Sequence, residues 1–230
     1  MRNRKYAPNW AALFFMLTLA LALCSWVGGI YGAGEVQSLL SAEGVRWILG
    51  HVVKNYVQAP ALGAMLVLLM GAGVVVRSGL YDVLRRLFRK DGKLSRKERR
   101  ALVLASVALL LYVSLIGVCV MLPSNLLLGV TGSWYYSPLM KGAVYILAVG
   151  VGLSAIIYGY VTDAIRSAKD WVDGMTILIA RHASFFVSLF FVVQFFSSLS
   201  YTRLAEWLHV PDGVMEILYQ FFCFFYVGLL

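Results

Sequence analysis

Apolar residues run along this chain in long blocks separated by short polar stretches. Five blocks, at 11–30, 60–76, 101–122, 142–160 and 175–198, meet or approach the roughly 20 residues that an α-helix needs to cross a hydrocarbon core. A sixth, 214–230, is marginal in length and carries Glu216 near its start. Between the first two blocks, 36–58 mixes Leu39, Leu40, Val45, Trp47, Ile48, Val52 and Val53 with Glu43, Arg46, His51 and Lys54. That mixture at helical spacing predicts an amphipathic helix lying in the membrane interface, with Trp47 and Tyr56 at headgroup depth. Ser41 ahead of Gly44 and Val45 reads as its start. Ser95 and Glu98, spaced Ser-x-x-Glu, predict a capping box leading straight into the third block.

Composition strengthens this picture. Hydrophobic residues make up 61% of the 230 and charged residues 13%, against roughly 25% charged in a soluble domain. The fold class is therefore all-α: a polytopic transmembrane helical bundle of five to six spans plus the interfacial helix, in a single membrane domain over 1–230. Charge then sets orientation. Ten of the twenty basic residues lie between Arg77 and Arg100, beside only Asp82, Asp91 and Glu98. Lys and Arg at span ends favour the cytoplasmic side, so 77–100 reads as a basic cytoplasmic loop with the N-terminus on the same side, in a bacterial inner (plasma) membrane protein. The loop could also draw anionic lipid. It is short, flanked by spans and free of any nucleic-acid motif, so no nucleic-acid partner is expected. Residues 1–24 imitate a signal peptide, and 21–24 loosely a lipoprotein box. Leu23 is too large for such a site and the apolar run too long, which favours an uncleaved first span.

Candidate chemistry is sparse. Cys24, Cys119 and Cys223 sit in apolar runs without metal-ligand spacing, and no cofactor, metal site or catalytic residue is expected. Hydrolase, P-loop and zinc-protease motifs are missing. Gly152-Leu153-Ser154-Ala155 has the Gly-x-Ser element of intramembrane serine proteases, but small residues in a span more often serve helix packing. Gly28, Gly32, Gly71 and Gly73 read as packing notches; Gly63, Gly71 and Gly73 could instead allow a broken helix at a solute site. Charge inside a span is costly, and Arg181, His182 and Glu216 all lie near span ends, where interfacial anchoring competes with a functional role. Asn55, Ser78, Gln194 and Ser200 are the polar candidates for contacting a solute; bonding to neighbouring helices is the competing role.

Local patterns resemble the p-aminobenzoyl-glutamate transporter (AbgT) family. They begin with 38–49 (SLLSAEGVRWIL), Asn55-Tyr56, Pro60, Leu62 and Gly63, then Gly71-Ala72-Gly73-Val74 and Ser78-Gly79-Leu80. Leu94-Ser95 with Glu98 to Leu102, Ser137 to Met140, Tyr158-Gly159, Lys169-Asp170, Gly174-Met175 and Gln194-Phe195 follow in the family's order. The departures lie between Leu80 and Leu94, where the family carries a re-entrant hairpin block absent here, and at 199–204, where Leu-Ser-Tyr-Thr-Arg-Leu replaces a pattern with two asparagines. What remains resembles the family's scaffold half, a shortened member lacking the blocks expected to carry the hairpins. The resemblance implies ion-coupled transport of p-aminobenzoyl-glutamate or a related small anionic solute, not an enzyme. It implies a homo-oligomer, with a dimer favoured, or a membrane partner. A transport-inactive scaffold assembling with a full-length relative is the alternative.

Overall fold

The structure is a computed structural model that describes residues 9–31, 36–89, 94–121, 127–128 and 137–225. Ten helices and no strand occur among the described residues. Five stretches are long and apolar enough to cross a membrane: Trp10–Ile30, Ala42–Ser78, Arg96–Met121, Pro138–Thr162 and Ala183–Thr202. The chain divides into two compact units, one made of Met1–Gly63 with His182–Leu230, the other of Ala64–Arg181.

The first unit is built on α1 (Trp10–Ile30), α2 (Ala42–Val57), α8 (Ala183–Thr202), α9 (Leu204–Trp207) and α10 (Asp212–Phe225). Aromatic edges join its long helices: Phe14 of α1 meets Phe195 of α8 at 5.5 Å and Phe222 of α10 at 5.2 Å between centroids. Such edge-to-face contacts add to apolar burial. The Ser25 hydroxyl, fully buried in α1, accepts from Leu39 N at 3.1 Å and so fixes the turn ahead of α2. That helix starts as its sequence predicts, with Gly44 N donating to Ser41 Oγ at 3.0 Å and supplying one of the partners a helix start needs. Its two expected interfacial aromatics also reach α8. Trp47 stacks on Tyr201 of α8 at 4.4 Å, and Tyr56 donates its hydroxyl to Phe186 O at 3.0 Å.

The second unit holds α3 (Pro60–Ser78) for most of its length, α4 (Leu80–Phe88), α5 (Arg96–Met121), α6 (Pro138–Thr162) and α7 (Ala168–Arg181). Small residues let its backbones close on each other. A Cβ placed on Gly71 would come within 2.8 Å of Ala148 O, and one on Gly73 would strike Gly174 O. The α3 helix is continuous through both glycines, so they act as packing notches. Tyr112 of α5 donates to Ile146 O of α6 at 3.0 Å and lies across Gly150. Polar ties close one end: Arg77 bonds Asp170 at 3.0 Å, Arg86 bonds Glu98 at 2.6 Å, and Lys97 pairs with Asp163.

The larger differences from the sequence expectation fall in the basic segment and in the C-terminal third. The block expected at 175–198 is divided at His182, where φ is −107° and ψ 24°; the helix that follows reaches Thr202. A Lys-, Asp- and Gly-containing stretch, 168–174, joins the apolar 175–181 in a separate amphipathic helix that periodicity read in long windows merges into its neighbour. The basic segment 77–100 contains a helix, Leu80–Phe88, as well as the capping box: Glu98 N donates to Ser95 Oγ at 3.1 Å while Ser95 N donates to Glu98 Oε2 at 2.8 Å. The sixth block is helical from Asp212, and 226–230 lies outside the described residues, as does most of the uncharged connection 123–138.

Candidate functional site

A cavity of about 530 Å³ opens in the first unit, bounded by the end of α2, the last turns of α8, and α9 and α10. Its shape follows from how α8 stops. Thr202 O accepts from Gln37 N at 3.1 Å, and Arg203 then takes the left-handed conformation, φ 54° and ψ 18°, which turns the chain into α9. His209, φ 57°, makes a second such turn before Pro211 and α10. Non-glycine residues adopt this region at a cost, so an arginine at the first turn is a positional oddity with its side chain on the cavity wall.

Asn55 and Gln58 line one side of the cavity, Phe196 and Tyr219 give it aromatic surface, and Ser197 and Ser200 add hydroxyls. Arg203 and three acidic residues, Glu206, Asp212 and Glu216, complete the charged part of the lining. Glu216 Oε1 accepts from Gln220 Nε2 at 3.3 Å. Asn55 Nδ2 is buried without a hydrogen-bond partner among the described residues, an arrangement that costs about 1–3 kcal/mol unless some acceptor meets it.

Of the four polar residues expected to touch a solute, two meet here: Asn55 and Ser200 share the cavity wall. Gln194 does not line it; its Nε2 donates to Val52 O at 2.8 Å and ties α8 to α2. Ser78 belongs to the second unit, where its buried hydroxyl donates to Val75 O at 3.0 Å and accepts from Leu80 N at 3.3 Å. Ser154 donates to Gly150 O of its own helix at 2.7 Å, as a packing residue does. Sequence reasoning flagged Glu216 but missed Gln58, Arg203, Glu206 and Asp212. The signal for Arg203 was present, since in the family resemblance it falls where an asparagine-containing pattern is replaced.

Apolar helices of spanning length and a polar, aromatic-walled cavity define a multi-pass helical membrane protein. The pattern of the "AbgT putative transporter family" matches residues 5–93 and 87–218, and the chain belongs to that family. The two matched pieces meet at 87–93, in the stretch where the sequence places the missing block. A curated relative, the p-aminobenzoyl-glutamate transport protein of Escherichia coli strain K12, is 33% identical over 87 residues, 34% of this chain and 17% of that protein. The match thus covers about a sixth of that relative's length, and this chain is short for its family. Among solved structures, the YdaH transporter of Alcanivorax borkumensis superposes with a TM-score of 0.77 at 17% identity, over 92% of this chain and 77% of the other. MtrF of Neisseria gonorrhoeae, from a class of antimetabolite efflux pumps, gives 0.74 at 16% identity, over 88% and 71%. These likenesses establish the fold. These relatives are transport proteins.

Proposed function

We propose that this chain moves a small anionic organic solute, p-aminobenzoyl-glutamate or a close chemical relative, across the bacterial inner membrane. The observation that carries the reading is the family match across residues 5–218, with the named substrate of the Escherichia coli relative giving the solute class. The cavity of the first unit is the proposed site. Phe196 and Tyr219 supply faces for an aryl ring, Asn55 and Gln58 amide groups for its amide, and Arg203 a guanidinium for a carboxylate. Glu206, Asp212 and Glu216 repel such an anion unless a proton or metal cation enters with it. That repulsion is a physical basis for coupling to a cation gradient. The working form is proposed to be a homo-oligomer, a dimer being the simplest closed assembly, inserted with the N-terminus and the segment 77–100 in the cytoplasm.

The test is flux of labelled p-aminobenzoyl-glutamate in proteoliposomes holding this chain alone, with and without a proton or sodium gradient. Gradient-dependent flux above empty liposomes, reduced about tenfold or more by Arg203→Gln, supports the reading; the tenfold corresponds to one lost charge-assisted bond. Absence of flux from folded, inserted protein overturns transport by the chain alone and favours a role as scaffold for a larger relative.

A further inference from the structure

One end of the second unit collects more positive charge than the ion pairs among the described residues match. The Arg86–Glu98 bond holds α4 against the start of α5. Glu98, Asp163 and Asp170 are taken by Arg86, Lys97 and Arg77. Arg85, Arg89, Arg96, Arg99 and Arg100 are exposed and have no ion pair among the described residues. Asp82, on α4 with Arg85, adds one exposed carboxylate.

Apolar surface continues directly from these arginines. On α4, Leu80 and Val83 are buried in the unit's core, while Tyr81, Leu84 and Phe88 lie exposed at helical spacing, Phe88 at 85%. On α5, Val103, Leu104, Val107 and Leu111 are exposed one to three turns beyond Arg100, at the i+3, i+4, i+7 and i+11 positions of a single helix face. Guanidinium groups at the polar end of an unbroken apolar face match the two halves of a phospholipid: a phosphate beside the arginines and acyl chains along the helix. The phosphate also suits arginine in particular, whose planar fork bonds it at two points.

We propose that α4 and the first turns of α5 form a seat for an anionic phospholipid, with Arg99 and Arg100 on its phosphate and Arg85 and Arg89 holding a neighbouring headgroup. The seat requires only that the chain spans a membrane. It is independent of the solute carried and of which side faces the cytoplasm. The exposed Tyr81, Leu84 and Phe88 rest on the same lipid layer, which makes α4 a helix lying in the interface.

Native mass spectrometry of the purified full chain, titrated with phosphatidylglycerol or phosphatidylcholine in the same detergent, tests it. Wild type should retain phosphatidylglycerol in preference, and 0.5 M salt should abolish the preference because exposed charges are screened within about 5 Å or less at that strength. R99Q/R100Q and R85Q/R89Q should each weaken retention about fivefold or more per arginine. R99K/R100K, which keeps the charge, should lose only part of it, and Arg46→Gln on α2 should change nothing. Equal retention of the two lipids by wild type, or salt-independent retention, overturns the proposal even if the glutamine variants fail to fold. So does unchanged phosphatidylglycerol retention by folded R99Q/R100Q.

Discussion

Arg203 shows how a single residue can carry two opposed demands. Its backbone sits where glycine is at ease, φ 54°, and its side chain lines the cavity. Arg203→Gly should therefore leave thermal stability unchanged or raise it by about 1 kcal/mol, while solute flux falls as in Arg203→Gln. Unequal effects on melting and flux are the readout, and a parallel loss of both would reduce the residue to a structural turn. Gln194 makes the converse case. Its amide bond to Val52 O predicts that Gln194→Leu lowers stability by about 1 kcal/mol without changing solute affinity in a binding titration. Asp170 gives a pH signature. Its carboxyl is held down to about 2, first by the Arg166 backbone N–H, then by the Ser167 hydroxyl and N–H, with Arg77 adding to them. A depressed acid stabilises the fold fully above its unfolded value of about 3.9, and that contribution disappears as pH falls through about 2. Melting curves between pH 5 and 2 should lose their steepest acid dependence in Asp170→Asn.

At the scale of the element, each helix records a compromise between membrane apolarity and packing. Gly71 and Gly73 allow α3 to touch the backbones of α6 and α7. Gly71→Val should destabilise the second unit by about 1–3 kcal/mol through overpacking, read as a lower melting temperature in detergent, because the facing atom is a backbone carbonyl and cannot swing aside. Gly63→Ala, where a Cβ meets nothing within 4 Å, should be neutral or mildly stabilising by comparison. The α2 helix shows why an amphipathic pattern names a helix but not its neighbour. Its polar and apolar positions have helical spacing, and only the structure adds that Trp47 and Tyr56 meet α8. The capping boundaries at Ser41 and Ser95 were legible because caps are satisfied within four residues of sequence.

Across the whole molecule, charge distribution predicts orientation. A cysteine placed at Ser95, in a variant lacking Cys24, Cys119 and Cys223, should be labelled by an impermeant thiol reagent only after cells are opened. Labelling in intact cells would reverse the topology. Of the four solute candidates named from sequence, Asn55 and Ser200 share a cavity, Gln194 ties two helices, and Ser78 satisfies its own chain. Polarity within an apolar context identified residues with a hydrogen bond to make. It carried no information on whether the partner would be a solute, a neighbouring helix or the same helix.

The chain's apolar blocks determined by themselves that it is helical and membrane-spanning, because an unsatisfied backbone in lipid leaves the helix as the available local solution. Its ordered motifs were enough to indicate the family. The division at His182 and the left-handed turn at Arg203 were decided by tertiary structure, as was the gathering of Asn55, Arg203 and Glu216 around one cavity. These features depend on which helix faces pack together, and packing in a membrane is selected by shape and hydrogen bonding between helices. Periodicity along one helix does not encode them.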